Sequence, residues 1–355
     1  MEHSLWQFIV NEAVLRNAVN ELSILALLAV IVICIILLSK GADWMVDGVV
    51  SLASRTGLPK IVIGATVVSL GTTLPEAFVS VMAAYMGNPG LALGNGVGSI
   101  IADTGLIFGL SCLLVAIPIN RFILDRTGWV QVGSAILLVI LAVLALVNAP
   151  PGVSPTLERW VGFLLLILLA VYLYSTYKWA RNSDDRCLDE KEDKLADQLG
   201  LGPSWLMVLG GLLLVILGAR VLVPSASELA VRLGVPDDVI AATMVAFGTS
   251  LPELMTAISA IRKGYPEITV GNIVGADVLN CLFVIGAAAA ATPLEIPKNF
   301  YFFHFPTMLI ILFSFRTFIS MNRTGVFYRW QGGWLLSIYV VYVFLQYALN
   351  IGAAH

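Results

Sequence analysis

Long apolar stretches, separated by short turns that are polar or contain glycine and proline, account for most of the chain. Many of these stretches have about the 20 residues that an α-helix needs to cross the hydrocarbon core of a bilayer. A transmembrane β-barrel would instead show short segments of alternating hydrophobicity. The pattern therefore predicts an all-α polytopic membrane protein with ten transmembrane helices, at about residues 22–49, 59–86, 91–117, 127–148, 158–179, 203–226, 236–262, 267–291, 302–320 and 331–351.

The composition agrees with this class of protein. The 355 residues are 59% hydrophobic and only 12% charged, against about 25% charged residues in an average soluble domain. The formal net charge of −3 is small, and the four cysteines have no spacing typical of a metal cluster or a disulfide framework. The expected partners are the lipid bilayer and transported ions, with no nucleic acid. No cofactor and no enzyme activity are expected, and the oligomeric state stays open.

The chain contains two copies of one pattern. GLPKIVIGATVVSLGTTLPE at residues 57–76 returns as GVPDDVIAATMVAFGTSLPE at 234–253, and GNGVGSIIAD at 94–103 returns as GNIVGADVLN at 271–280. Every matched pair has the same separation along the chain, without a gap. We therefore divide the chain into an N-terminal interfacial segment (1–21), a first five-helix repeat (22–180, motif at about 57–110), a cytoplasmic linker (181–202) and a second five-helix repeat (203–355, motif at about 234–287).

The linker reads RNSDDRCLDEKEDKLADQLG from residue 181 to residue 200. Its acids are compatible with a calcium-sensing loop, and the simpler interpretation is a solvated connector of mixed charge. The second interpretation is favoured, because lysines and arginines are interspersed with the acids and no glycine occupies the turn position of an EF-hand loop.

Lysine and arginine are distributed unevenly between the two sides of the predicted helices. Fourteen of them follow odd-numbered helices, four lie on the opposite side, and Lys40 and Arg220 lie within helices. Since basic residues mark the cytoplasmic side, both termini are predicted to be extracytoplasmic, in the cell (inner) membrane of a prokaryotic cell. Five helices per repeat then invert the second repeat relative to the first, as in many secondary transporters with midplane sites.

Each repeat places one carboxylate directly after a proline inside an apolar stretch, Glu76 in GTTLPE and Glu253 in GTSLPE. Proline removes a backbone donor and clashes with the carbonyl four residues earlier, so the helix is expected to kink and to leave carbonyl oxygens free. Carboxylate, hydroxyl and carbonyl oxygens together suit a hard cation such as calcium. The hydroxyls nearest to these acids on the same helix face are those of Thr72, Thr73, Thr249 and Ser250.

The second motif ends on Asp103 in the first repeat and on Asn280 in the second, and each follows the glutamate of its own repeat at the same spacing. A helix, a tight turn (GNPG or RKGYP) and a returning helix would bring these side chains level with Glu76 and Glu253. Packed about a two-fold axis, the four side chains would form a ring of three acids and one amide. Three bare carboxylates cannot share a dry pocket, so protons or cations must neutralise them, unless a lysine or arginine within the helices does so.

Glycines recur at every fourth position in the second motif, at positions 94 and 98 and again at 271 and 275. This spacing lets helices approach closely. Plain helix packing and a role at the site are both compatible with it.

The paired G-T-[ST]-L-P-E and G-N-x-x-G-[SA] motifs resemble the α-repeats of the calcium/cation antiporter (CaCA) superfamily, in particular its prokaryotic sodium/calcium exchanger branch. The likeness covers nearly the whole chain. It implies inverted five-helix halves in which helices two, three, seven and eight hold the cations, while helices one and six slide past that core. It also implies ligands for calcium and sodium: Glu76 and Glu253 centrally, Asp103 and Asn280 completing the ring, backbone oxygens of Thr72 and Thr249 for calcium, and Thr73, Ser99 and Ser250 with carbonyls near Ser69 and Ala246 for sodium.

The sequence departs from the pattern of that superfamily at four positions. Ile100 and Asp103 stand where the first repeat usually has asparagine, and Ala276 and Asp277 stand where the second repeat usually has serine and asparagine. Ala276 removes one expected hydroxyl ligand, which puts one sodium site and the stoichiometry in question. Asp277 could face the ion pathway or, as the favoured alternative, hydrogen-bond a neighbouring helix as a protonated acid.

The predicted function is secondary active antiport, in which calcium is exchanged for sodium by alternating access at the central carboxylates. A proton-coupled antiporter of calcium or another divalent cation is the nearest alternative. A passive cation channel is more remote, although acidic rings also occur in channel filters, and an intramembrane hydrolase using Asp103 and Asp277 is the most remote. No histidine or cysteine accompanies the glutamates in GTTLPE and GTSLPE, which argues against zinc or copper.

Overall fold

A computed structural model describes residues 17–56, 58–119, 121–181, 200–233, 250–322 and 325–348. The long helices, numbered along the chain, are α1 Ile24–Thr56, α2 Lys60–Tyr85, α3 Pro89–Leu114, α4 Arg121–Asn148, α5 Arg159–Arg181, α6 Leu201–Arg232, α7 Leu251–Arg262, α8 Pro266–Ala291, α9 Phe300–Met321 and α10 Arg329–Ala348. Four two-residue strands connect them: β1 Ile117–Pro118, β2 Thr156–Leu157, β3 Leu294–Glu295 and β4 Val326–Phe327.

Within the described ranges, eight helices are long and apolar enough to cross a membrane: α1 to α6, α8 and α9. The multi-pass helical architecture is therefore confirmed, and α1 continues to Thr56, beyond its predicted end at residue 49. Helix α7 is described only from Leu251, because residues 234–249 lie outside the described ranges, and α10 has 20 residues but is not among the eight. The number of ten spans stays a prediction, and most of the predicted linker (182–199) also lies outside the described residues.

The helices differ in how much of their surface packs against other helices. In the most apolar part of α8, 83% of the residues are buried, and α3 and α2 follow with 72% and 67%, against 22% in α1 and 28% in α5. Leu25, Ile33 and Ile36 of α1 are exposed, and continuous exposed apolar surface is typical of a face against lipid. Helices α2, α3 and α8 therefore form the centre of the molecule, and α1 and α5 lie at its periphery.

Two glycine turns return the chain between paired central helices, as the sequence predicts. Gly87 (φ +76°) precedes α3 and Gly264 (φ +83°) precedes α8, both in the left-handed region that glycine adopts without a steric penalty. Asn88 caps α3, because its Oδ1 accepts a hydrogen bond from the N–H of Leu91 (3.2 Å). Gly87 and Gly264 occupy matched positions of the two repeats, so the two motifs turn at equivalent places.

Helix α2 is interrupted at the predicted kink. Its first part ends at Thr72, Thr73 lies in a turn (φ −84°, ψ −6°), and the helix resumes at Leu74. Ser250 (φ −87°, ψ 8°) occupies the equivalent place before α7. Wider π-helical segments, which are frequent at functional sites, were not predicted and occur at Gly64–Val68, Asp103–Phe108, Asn280–Val284 and Phe300–His304.

Matched elements of the two repeats exchange partners reciprocally. Strand β1 pairs antiparallel with β4, and β2 pairs antiparallel with β3. Gly162 of α5 lies against Gly286 of α8, just as Gly332 of α10 lies against Gly109 of α3. The separation between Gly109 and Gly286 along the chain is the same as that between the matched motifs. The separation between Gly162 and Gly332 is shorter. The contacts obey an internal two-fold relationship, and the repeats differ in length outside the motifs.

Helices α1 and α6 pack on each other through glycine. A Cβ atom at Gly41 would lie 2.7 Å from the carbonyl oxygen of Gly211, and one at Gly211 would lie 2.5 Å from the carbonyl oxygen of Gly41. Gly48 lies against Ser204, so α6 runs backwards along α1. Small residues of this kind let two membrane helices bring their backbones together.

Glycines of the second motif let α8 approach α2. A Cβ atom at Gly275 would lie 2.5 Å from the carbonyl oxygen of Ala65 and from Oγ of Ser69, and Gly271 lies against the backbone of Ile61. Close helix packing is therefore confirmed as one use of this spacing in the second repeat.

Candidate cation site

The two glutamates lie at the starts of helical segments, directly after the helix breaks. Glu76 is in the first turn that resumes after Thr73, and Glu253 is in the first turn of α7 after Ser250. Each of these turns also holds a proline, whose missing N–H costs no hydrogen bond there. Both glutamate side chains are 1% exposed. The partial positive charge of a helix N-terminus favours a carboxylate, so the local fold suits two buried acids.

Asp103 is the acid on which the cluster converges. It interacts electrostatically with Glu76, Glu253 and Asp277, and Glu76 also interacts with Glu253. Nδ2 of Asn280 donates a hydrogen bond to Oδ2 of Asp103 (3.4 Å). The structure therefore brings the four side chains of the predicted ring into one buried neighbourhood.

In the described ranges, no group of three or more histidine, cysteine, aspartate or glutamate side chains is close enough to hold a metal ion. Several buried oxygens in the same part of the chain have no hydrogen-bond partner: Oε2 of Glu76, Oε2 of Glu253, Oδ1 of Asp103, Oδ1 of Asn280 and the hydroxyls of Thr73 and Ser99. Buried polar atoms are nearly always satisfied, so this set of oxygens suits a cation that draws it together.

None of the ion pairs among the described residues includes an acid of this cluster. They join Arg232 to Glu228, Lys263 to Asp47 and Arg316 to Asp125. Lys40 is exposed, and neither it nor Arg220 forms an ion pair among the described residues. Neutralisation of the ring by lysine or arginine therefore finds no support in the described structure, and protons or bound cations are left as counter-charges.

Two hydroxyls lie beside acids of the opposite repeat. Thr72 interacts with Glu253, and Ser250 interacts with Asp103. Both contacts cross from one repeat to the other, so the oxygen atoms of the site come from both halves of the chain.

The structure describes only some of the other predicted ligands. Thr249 and Ala246 lie outside the described residues. The carbonyl oxygen of Ser69 already accepts a hydrogen bond from the N–H of Thr73 (2.9 Å). Ala276 is fully buried and has no side-chain oxygen.

Two asparagines support the cluster, and the sequence interpretation gave them no role. Nδ2 of Asn95 donates hydrogen bonds to the carbonyl oxygen of Glu76 (3.1 Å) and to Oγ of Ser80 (2.9 Å). Oδ1 of Asn272 accepts a hydrogen bond from the hydroxyl of Thr72 (3.4 Å). Their matched places in the two G-N-x-x-G motifs could have identified them, because a polar side chain at membrane depth is costly and usually functional.

Asp277 is buried where α8 meets α3 and α4. Its Oδ2 accepts hydrogen bonds from the hydroxyl of Thr104 and from Nε2 of Gln131, while its Oδ1 has no partner in the described chain. Asp277 therefore bonds to two neighbouring helices and also interacts with Asp103. The sequence interpretation did not include Thr104 or Gln131.

Comparison with known proteins gives one consistent match. A protein-family profile described as sodium/calcium exchanger protein matches residues 26–178 and 203–348. An uncharacterised membrane protein of Methanocaldococcus jannaschii is 33% identical over 315 residues, 86% of this chain and 93% of that protein. The sodium/calcium exchanger MaX1 of Methanosarcina acetivorans is 30% identical over 340 residues, 88% of this chain and 96% of that protein. A crystal of the sodium-calcium exchanger NCX_Mj, soaked with sodium and strontium, gives a TM-score of 0.75 at 28% identity, over 90% of this chain and 98% of that one.

Proposed function

Because the chain belongs to the sodium/calcium exchanger family, a family of transporters and not of enzymes, we propose that it exchanges calcium for sodium by secondary active antiport. The observation that carries the proposal is the buried cluster in which Asp103 joins Glu76 of one repeat to Glu253 of the other. Calcium takes six to eight oxygen ligands, often from carboxylates and carbonyls. The unpartnered oxygens around Asp103 are ligands of that kind.

The architecture proposed for this function is ten transmembrane helices in two inverted five-helix repeats. Two observations support it: matched helices α1 and α6 run in opposite directions, and the strand pairs and the glycine contacts of α5 and α10 exchange reciprocally. Inversion of the second repeat gives the two halves opposite orientations in the bilayer, which is the basis of alternating access in many transporters.

The proposed calcium ligands are Glu76 and Glu253 with Asp103, Asn280 and backbone oxygens of Thr72 and Thr249. The proposed sodium ligands are the hydroxyls of Thr73, Ser99 and Ser250, with the carbonyls near Ser69 and Ala246. Calcium and sodium would share the glutamates, so that each displaces the other.

Coupling between sodium and calcium transport would follow from the free-energy cost of burying ionised carboxylates without a counter-charge. An unpaired buried carboxylate is too costly to carry through an apolar barrier, and no lysine or arginine in the described chain forms an ion pair with the cluster. Only the cation-loaded protein would then change between inward-open and outward-open forms. Sodium moving into the cell would drive calcium out.

For orientation, we propose that both termini are extracytoplasmic and that the linker between the repeats is cytoplasmic. The support is the excess of lysine and arginine in the segments that follow odd-numbered helices.

The test is radiolabelled calcium uptake into vesicles that contain the purified protein. Vesicles loaded with sodium and diluted into sodium-free buffer should accumulate calcium, and vesicles loaded with potassium should not. Glu76→Gln should abolish uptake, while Glu158→Gln, at an exposed position, should retain it.

Each alternative predicts a different result in the same vesicles. If calcium uptake required only a pH gradient and did not depend on sodium, the coupling ion would be the proton and not sodium. Calcium currents far above carrier turnover, without need of a counter-ion, would make the protein a channel.

A further inference from the structure

A second set of unpartnered oxygens lies beside the ring, on the side that α4 covers. Asp277 of α8, Thr104 of α3 and Gln131 of α4 form one hydrogen-bonded unit, in which both partners donate to Oδ2 of Asp277. All three side chains are at most 1% exposed. The family resemblance assigns helices two, three, seven and eight to the cations. Helix α4 is not among them, so Gln131 adds a side chain from a further helix to the site.

The atoms of this unit that remain without a hydrogen-bond partner are both acceptors. Oδ1 of Asp277 and Oε1 of Gln131 are buried without partners in the described chain. With Asp277 ionised, the Gln131 amide donates through Nε2, because turning it over would place its oxygen against a carboxylate oxygen. The Nε2 and hydroxyl donors face Oδ2, so one oxygen of Asp277 and one oxygen of Gln131 are left without partners. A cation that reaches both oxygens would satisfy them together.

The charges around the unit point to a cation as well. Asp277 takes part in none of the ion pairs of the described chain. The titratable groups that interact with it are Asp103, an acid, and Cys281, a buried thiol beside Ser134. A buried carboxylate with an acid nearby and no basic partner needs a counter-charge.

We propose that Asp277, Gln131 and Thr104 form a side subsite for one sodium ion, distinct from the calcium ring and walled by α4. This inference rests on the proposed function, because the ion would be one of the exchanged sodium ions. One carboxylate and neutral oxygens match a single positive charge, whereas calcium sites use more ligands and more charge.

The test is a count of bound sodium on purified protein in detergent, by radiolabelled sodium binding at saturation. Gln131→Leu removes the free oxygen and keeps the carboxylate, and Asp277→Asn removes the charge. Each variant should bind one sodium ion fewer than the unaltered protein, and the cooperativity of sodium-driven calcium transport should fall accordingly. Ser111→Ala is the matched control, because Ser111 is a buried hydroxyl on the same helix as Thr104 but bonds to the carbonyl oxygen of Ile107 (2.7 Å).

Calcium binding measured without sodium separates this inference from the proposed function. It should stay within about twofold in Gln131→Leu, which keeps the charge of Asp277, a change of less than about 0.5 kcal/mol. An unchanged sodium count in Gln131→Leu and Asp277→Asn would overturn the subsite, as would a site that takes up a proton where sodium was expected. Absence of calcium binding in the unaltered protein would overturn the proposed function, and the sodium counts would still decide the subsite. If the Asp277→Asn variant fails to fold, Thr104→Val replaces it in the test. That substitution keeps the charge of Asp277 and nearly the side-chain volume of threonine.

Discussion

Asn280 donates a hydrogen bond from Nδ2 to Oδ2 of Asp103 (3.4 Å), so two side chains at equivalent positions of the two repeats contact each other. Residues that are related by an internal two-fold relationship meet only where its axis passes. An acid and an amide can share that place, since one accepts and the other donates, whereas two ionised acids would repel each other. Asp103 and Asn280 therefore form a donor–acceptor pair between equivalent positions of the two repeats.

This pairing predicts that the two side chains can be exchanged. Asp103→Asn alone removes one of the ring charges, and Asn280→Asp alone sets two acids against each other. Each single variant should lose at least about tenfold in calcium transport, equivalent to about 1.4 kcal/mol. The double variant Asp103→Asn/Asn280→Asp should recover most of the activity in the vesicle assay. A double variant no better than the worse single one would contradict an on-axis pair.

The glutamates are predicted to be essential for binding and dispensable for folding. Glu76→Gln and Glu253→Gln keep the side-chain volume and remove a buried charge, so the apo protein should be no less stable. Calcium at 100 times its dissociation constant stabilises a protein by about 2.7 kcal/mol, and this calcium-induced rise in melting temperature should vanish in both variants. Either variant with a full calcium shift and full transport would be inconsistent with the site.

The glycine contact between α1 and α6 gives a stability prediction. At Gly211 a methyl group would lie 2.5 Å from the carbonyl oxygen of Gly41, and backbone cannot move aside as a flexible side chain does. Gly211→Ala should destabilise the protein by about 1–3 kcal/mol, the usual cost of overpacking. The control is Gly133→Ala on α4, an exposed position where nothing lies within 4 Å of the added methyl group. Thermal unfolding in detergent should separate the two variants, and equal melting temperatures would refute the contact.

A polar link between α1 and α7 is also predicted to contribute to stability. Lys263 bonds to Oδ1 of Asp47 and to the carbonyl oxygen of Asp43 (3.0 Å), and the hydroxyl of Ser259 donates to Oδ1 of Asp43 (2.6 Å). The Lys263 and Asp47 side chains are each 25% exposed, so solvent screens the pair only in part.

A double-mutant cycle with Lys263→Met and Asp47→Asn should therefore give a coupling free energy of about 0.5–2 kcal/mol in thermal unfolding. Simple addition of the two single effects would show that the pair does not stabilise the contact between α1 and α7. The cycle on Glu228 and Arg232, an (i, i+4) pair within α6, serves for comparison and should couple by only about 0.3–0.5 kcal/mol. Arg232 also donates to the carbonyl oxygens of Asn20 and Leu22, and the loss of these bonds cancels in the cycle because the Arg232 variant and the double variant share it.

Much of the architecture can be predicted from the sequence, because few kinds of backbone structure are stable in the hydrocarbon core of a bilayer. A chain in hydrocarbon must satisfy its own hydrogen bonds, so apolar length predicts the spans. Most of the predicted bounds lie within a few residues of the described helix ends, whereas α1 and α6 continue further, to Thr56 and Arg232. The turns at Gly87 and Gly264 and the break at Thr73 are equally local, since glycine and proline act on the residues next to them. The repeated motif also places Glu76, Glu253, Asp103 and Asn280 together, because equal spacing in two copies implies equal depth.

The sequence by itself thus determined the class of fold, the repeat and the acids of the candidate site. Only the tertiary structure decided that the other acids of the site converge on Asp103, that Asn95 and Asn272 support them, and that Gln131 of α4 reaches Asp277. Those contacts join side chains of different helices. No local pattern of the sequence specifies them, since they result from the packing of several helices at once.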